Sequence, residues 1–286
     1  MDDIGFPNPQ QFACRQGHNS TLLSFTVQES ISYCIEYHSK VYACFLDCEQ
    51  AFDRVWWNGL LYKLHQIGIN RLLLVNSNCC VLLDGVLSEK FPITRSIKQG
   101  GLLSMFLYIV SNSDIHHCVG GHNGLHINGL NVSSLTLADD TLLLSLSQSG
   151  LQAMMHKAHV YSRKWRLKLS HSKSKCVVFG ENKRGYQRNK MLWTWYMGES
   201  VVDEVDVYNH MGVTLYACPD SCRMNAVSNR GKGMLASLAN VGVRVDGLNP
   251  IFASKLWELM CIPSLLYGCE VWYDLSAVSY THLRAH

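Results

Sequence analysis

Two adjacent carboxylates set between apolar runs constrain this chain more than any other feature. In Leu135-Thr136-Leu137-Ala138-Asp139-Asp140-Thr141-Leu142-Leu143-Leu144, apolar and polar residues alternate before the pair and a leucine run follows it. The pattern predicts strand, tight turn, strand, with Asp139 and Asp140 at the tip. Burying such a pair is costly unless positive charge meets it. A hard divalent cation such as Mg²⁺ suits carboxylate oxygens and keeps positions open for phosphate. An ordinary solvated Asp-Asp turn reads the same in sequence, so the rest of the chain has to decide.

A second acid ends a second strand. Val41-Tyr42-Ala43-Cys44-Phe45-Leu46 is an apolar run of strand length, followed by Asp47-Cys48-Glu49-Gln50-Ala51-Phe52-Asp53. Ahead of it, Leu22, Leu23, Val27, Ile31, Cys34 and Ile35 recur at helical steps, with Asn19, Ser20 and Thr21 as N-cap candidates. Trp56 to Ile67 reads as an amphipathic helix ended by Gly68. Residues 71–95 read as strands turning at Asp84-Gly85, with Cys79 and Cys80 as packing residues. Lys98-Gln99-Gly100-Gly101 makes a turn that opens an apolar helix over Met105 to Val110. His116, His117, Cys118, His122 and His126 match no zinc spacing and read as a loop and hairpin. Gly150 to Ser170 is helical and Cys176 to Phe179 a strand; 181–200 reads as a polar loop and Val201 to Val207 as an edge strand. Tyr208 to Leu215 follows as turn and strand, and Met224 to Trp272 is helical apart from a linker at Gly242 to Pro250.

Charge is uneven. Between Lys157 and Lys190 eleven Lys or Arg face one acid, Glu181, which leaves a net −7 for the remainder of a chain whose formal charge is +3. Such a block suits a polyanion, most often nucleic acid, although a solvated charged face has the same composition. At 286 residues and 48% hydrophobic content, the chain can bury a real core. No apolar run is long enough for a membrane span, and the twelve scattered cysteines read as reduced thiols of an intracellular protein.

These signals stand in one order: Phe45-Leu46-Asp47 with Ala51-Phe52-Asp53, Gln99-Gly100 with Leu103-Ser104, Leu137-Ala138-Asp139-Asp140, Leu169 with Lys173-Ser174-Lys175, and Tyr208 with Met211-Gly212-Val213. Together they resemble the reverse transcriptase domain of non-LTR (LINE-type) retrotransposons, from about Gln11 to Trp272. The resemblance implies an α/β right-hand polymerase fold: partial fingers at 1–40, a palm with an antiparallel sheet at 41–215 carrying a fingers insertion at 55–98, and a partial helical thumb at 216–277. It implies an RNA-directed DNA polymerase that adds dNTPs to a primer 3′-hydroxyl on an RNA template. Asp47, Asp139, Asp140 and the Cys48 carbonyl would hold two Mg²⁺ ions, with Mn²⁺ as a substitute. Phe52 would be the sugar gate, and Gln99 and Gly100 would lie by the incoming nucleotide. Lys173 would meet the pyrophosphate, Arg15 the triphosphate or template, and Tyr208, Met211 and Gly212 the primer.

The pattern departs from the family's at Gln50, where Lys is usual, at Gly101-Leu102 in place of Asp-Pro, at Met105 in place of Pro, and at Ser113-Asp114-Ile115 in place of Asn-Asp-Leu. Residues 69–79 are shorter than usual. Val278 to His286 resembles a translated sequencing adapter, and the chain reads as a fragment of an element copy. The expected setting is an element ribonucleoprotein in nucleus and cytoplasm. The rival reading is a degenerate, non-catalytic nucleic-acid-binding remnant of the same domain.

Overall fold

The apolar run 41–46 forms the central strand, β1 (Val41–Leu46), and most of the molecule is built outward from it. The computed structural model describes residues 7–69, 78–92, 95–98, 100–180, 193–217, 222–240, 249–267 and 269. Gln99, the expected strand residues 71–77, most of the polar segment 181–200, the linker at 242–248 and the tail at 278–286 lie outside the described residues.

In chain order the elements are α1 (Ser20–Glu36), β1, α2 (Trp57–Gln66), the short strands β2 (Asn78–Cys79), β3 (Leu82–Leu83), β4 (Val86–Leu87) and β5 (Phe91–Pro92), then α3 (Ser104–Ser111) and α4 (Ile115–Val119). There follow β6 (His126–Ile127), β7 (Leu130–Asn131), β8 (Ser134–Leu137), β9 (Asp140–Ser145), α5 (Gln148–Lys164) and β10 (Lys175–Phe179). The chain continues through β11 (Trp195–Met197), β12 (Ser200–Glu204), β13 (Val207–His210) and β14 (Val213–Tyr216). Beyond them are α6 (Cys222–Asn240), α7 (Pro250–Leu256), a π-helical turn (Trp257–Cys261) and α8 (Ile262–Leu265).

One six-stranded sheet, in the order β11-β12-β10-β1-β9-β8, organises these elements. Its neighbours are antiparallel except β10 and β12, which run parallel. Alternation along β1 sends Val41, Ala43 and Phe45 to one face and Cys44 and Leu46 to the other. The first face packs against Leu23, Val27, Ile31 and Cys34 of α1 and against Val213 and Leu215 of β14. The second packs against Leu151, Met154, Met155 and Ala158 of α5. A third cluster joins α2 and α3 through Leu60, Leu64, Leu107 and Tyr108.

Local signals behave as their chemistry requires. Asn19 caps α1, its side chain accepting from the Leu22 N–H at 2.7 Å. Asp84 and Gly85 both have positive φ (48° and 83°) in the two-residue β3–β4 turn, and Gly68 (77°) follows α2.

Four expectations are corrected. Cys79 and Cys80 are exposed rather than packed. Residues 193–200 are not loop throughout, because Trp195 and Met197 are buried on β11. Residues 201–207 are not one edge strand: β12 ends at Glu204 and lies inside the sheet, and β11 is the edge. His116 and His117 sit on α4, not in a loop, and His116 is a core residue whose ring lies 2.9 Å from Ser134 Oγ and 3.2 Å from Thr136 Oγ1. Burial lowers its pKa to about 4, so it stays neutral.

Candidate functional site

Strand register brings the acids together. Leu46 pairs with Thr141 across β1 and β9, and continuing that register by one residue sets Asp47 opposite Asp140. On both strands the alternation directs these side chains to the face of Phe45 and Leu142. Asp139 occupies the two-residue link between β8 and β9, where Leu137 pairs with Asp140. Acids 92 and 93 positions apart in the chain thus meet at one end of the sheet.

The Asp47 backbone is fixed from both sides. Its N–H donates to Ser174 Oγ (3.1 Å), and its carbonyl accepts from the Ser170 N–H (2.8 Å). Cys48 bridges to Leu169, and the Glu49 N–H donates to the Lys168 carbonyl at 2.8 Å. These contacts bring in the segment carrying Lys173, whose Nζ stands 3.8 Å from Asp47 Oδ2. That oxygen is buried and has no hydrogen-bond donor among the described residues.

Electrostatics shows how closely the acids are held. Burial raises the Asp47 pKa; Lys173 opposes the shift, and Asp139 and Glu49 add to it. Burial, then Asp139, then Asp47 raise that of Asp140. Burial and the neighbouring Asp139 push the Cys48 thiol up to about 12. The thiol therefore stays protonated at neutral pH, and Cys48 can offer a cation only its carbonyl oxygen. Among the described residues no three His, Cys, Asp or Glu side chains are already arranged around one point as a metal cage. The site is an open cluster of repelling carboxylates with an orphaned oxygen, an arrangement that a divalent cation would relieve.

The other expected residues fall into two groups. Phe52 stacks on Tyr108 of α3 (centroids 4.9 Å apart), and its carbonyl accepts from the Ile97 N–H. This ties it to the segment leading to Gly100, whose φ of 81° makes the turn before α3. Tyr208 stacks on Phe45 at 4.1 Å. Burial raises its pKa and the charges of Asp140 and Asp47 add to the shift, which places it beside the acids. Met211 and Gly212 form the β13–β14 turn, both with positive φ. Arg15 stands apart: its guanidinium donates to the Pro9 carbonyl at 2.9 Å, and no described contact joins it to the acids.

Two supporting residues carry no local signal in the sequence. Gln11 is 4% exposed, and its Oε1 accepts from the N–H groups of Ala13 (2.9 Å) and Ala138 (3.2 Å). Ala138 has a φ of 58°, a conformation unfavourable for a residue with a Cβ. Gln11 therefore braces the strained turn that presents Asp139. Tyr267 donates to the Met211 carbonyl at 3.0 Å, and its ring fills the space a Gly212 side chain would need.

Residues 6–215 match the family described as reverse transcriptase (RNA-dependent DNA polymerase). The RNA-directed DNA polymerase from the mobile element jockey of Drosophila melanogaster is 28% identical over 261 residues, covering 85% of this chain and 27% of that protein. The probable RNA-directed DNA polymerase from transposon X-element of the same fly is 24% identical over 296 residues, covering 95% of this chain and 30% of that protein. The chain thus spans between a quarter and a third of the length of these relatives. Telomerase from Candida tropicalis, solved with a TWJ fragment of telomeric RNA, superimposes with a TM-score of 0.51 at 11% identity, over 81% of this chain and 39% of that one. That likeness concerns the fold, a right-hand polymerase. Family match and mobile-element relatives agree with the motif order, and the chain belongs to the reverse transcriptase family, on its LINE-type branch.

Proposed function

We propose that this chain is the RNA-directed DNA polymerase domain of a non-LTR retrotransposon, extending a DNA primer with dNTPs on an RNA template. The observation that carries this reading is the β1–β9 register, which opposes Asp47 to Asp140 and sets Asp139 beside them. Asp47, Asp139, Asp140 and the Cys48 carbonyl would hold two Mg²⁺ ions, or Mn²⁺ in their place. When bound, the metals would acidify the primer 3′-hydroxyl and neutralise charge on the leaving pyrophosphate.

The chain's own groups supply position. Lys173, whose Nζ lies 3.8 Å from Asp47 Oδ2, would meet the pyrophosphate as it leaves. Phe52, fixed against Tyr108, would present its ring edge to the sugar and exclude a 2′-hydroxyl. Gln99 and Gly100 would border the base and template. Tyr208 and the Met211-Gly212 turn would hold the primer end close to the acids, and Arg15 would act from the margin on triphosphate or template.

The test is primer extension on RNA with Mg²⁺, comparing wild type with Asp139→Ala. The expected loss is at least about a hundredfold, equivalent to about 2.7 kcal/mol of barrier. A parallel Mn²⁺ titration followed by electron paramagnetic resonance should show binding lost in Asp47→Asn. Equal extension with and without Asp139 would remove the mechanism. RNA binding with steep salt dependence but no extension would favour the non-catalytic reading.

A further inference from the structure

A cavity of about 850 Å³ opens on the α5 face, between the C-terminal half of α5, residues 167–171 and the β11–β12 turn. His156, His159 and Arg163, at three- and four-residue steps on α5, line one side of it. Lys168 and His171 line the second side, and Glu199 of the turn is the single acid of the lining.

Three details distinguish this groove from an ordinary charged surface. Gly198 has a φ of 69°, and a Cβ there would lie 2.6 Å from the His159 ring, so glycine both makes the turn and leaves room for the imidazole. His171 Nδ1 is buried and lacks a hydrogen-bond partner among the described residues. No carboxylate lies in salt-bridge range of Arg163 among those residues, whereas Lys168 is held by Glu49 at 2.7 Å. That ion pair links the groove to the segment bearing Asp47.

The lining sets the ligand class. No three side chains here are arranged for a metal ion. The volume suits a molecule the size of a nucleotide rather than a bare ion. Arginine, lysine and imidazole N–H groups donate to phosphate oxygens, and imidazole and guanidinium planes stack on bases. We propose that this groove is a second nucleotide site, separate from the carboxylates, that binds the phosphate and base of a nucleotide, either as a free triphosphate or as a unit of a single-stranded RNA. Val160, which is exposed, and the half-buried Leu167, apolar members of the lining, would flank the base.

The test uses the full chain carrying Asp139→Ala, in EDTA, so that it does not depend on metal-supported chemistry at the carboxylates. Histidines labelled with ¹³C are followed by NMR while dATP, a short single-stranded RNA and inorganic phosphate are added separately. His156, His159 and His171 should shift saturably with dATP or RNA. Arg163→Ala should weaken that binding about tenfold, as expected for loss of a charge-assisted contact, with an unchanged circular dichroism spectrum. Tighter binding of RNA than of dATP identifies a strand site, and the reverse order a free-nucleotide site. Histidine signals unmoved by both, or moved equally in Arg163→Ala, overturn the proposal. Saturation by inorganic phosphate at the nucleotide's own affinity also overturns it, since the base would then contribute nothing.

Discussion

Replacing Lys63 with methionine tests how the region behind the site is held. Lys63 lies on α2 with its side chain 3% exposed. Its ammonium donates to Asp114 Oδ1, the Ser111 carbonyl and the Tyr161 hydroxyl, the last at 2.8 Å, and lies 3.7 Å from the Trp165 ring centroid. One charge therefore joins α2, the α3–α4 connection and α5. Methionine fills similar volume but takes the cation from the Asp114 carboxylate, which keeps the Tyr161 hydroxyl as a donor at 2.6 Å, and from the Ser111 carbonyl. Breaking a buried pair costs roughly 3–5 kcal/mol. Because the Asp114 side chain is 38% exposed and can recruit water, the expected loss is about 3 kcal/mol, the low end of that range. Urea unfolding at pH 7 measures it. Lys63→Met combined with Asp114→Asn should be less destabilised than the sum of the single changes, since the second removes the stranded charge.

The same residue fixes a pH dependence. Burial, outweighing the attraction of Asp114, lowers the Lys63 pKa from 10.5 to about 8. Between those values the unfolded chain holds a proton that the folded chain has released, so stability from this group rises with pH. The gain is roughly 3 kcal/mol across the window. It is read as the difference between wild type and Lys63→Met, because the Cys48 thiol, raised to about 12, acts with the opposite sign. A Lys63→Met chain within about 0.5 kcal/mol of wild type, the range of ordinary surface substitutions, or strictly additive single and double changes, would refute the reasoning.

The remaining expectations concern the site. Gln11→Leu should cost about 1–2 kcal/mol by leaving the Ala13 and Ala138 N–H groups unpaired, and should weaken Mn²⁺ binding without touching a ligand. Ala138→Gly should be neutral or stabilising by about 1 kcal/mol, since glycine adopts the positive φ without strain; calorimetry decides both. Asp140→Asn should raise the metal-free melting temperature. The folded pKa of Asp140 is raised, so from 3.8 up to that value the folded state holds the extra proton and stability falls as pH rises. Mg²⁺ at about ten times its dissociation constant should raise wild-type stability by roughly 1.4 kcal/mol, and this gain should vanish in Asp47→Asn.

Much of this was legible wherever short-range chemistry decides. The β1 run, the Asn19 cap, the Asp84-Gly85 turn and the Asp139 hairpin need only neighbours within a few residues. Even the meeting of Asp47 with Asp139 and Asp140 was anticipated, through motif order rather than periodicity. What escaped depends on distant partners. Nothing around Gln11 announces that its amide supports a turn 127 residues away. Lys63 looks like a solvated helix residue until Asp114 and Tyr161 are placed beside it. The interior position of β12 follows from a parallel pairing with β10, which alternation of acid and valine cannot distinguish from an edge. Trp195 sits next to a polar stretch whose composition concealed its burial.

The opposition of Asp47 to Asp140 has a counting consequence. Each residue added to or removed from a strand turns every later side chain to the other surface. A single in-frame codon gained inside 41–46 or 140–145 would leave hydrophobicity and helix content nearly intact, yet would aim one acid away from its counterpart. A chain of this kind can therefore lose the juxtaposition of its acids by parity alone while keeping a foldable body.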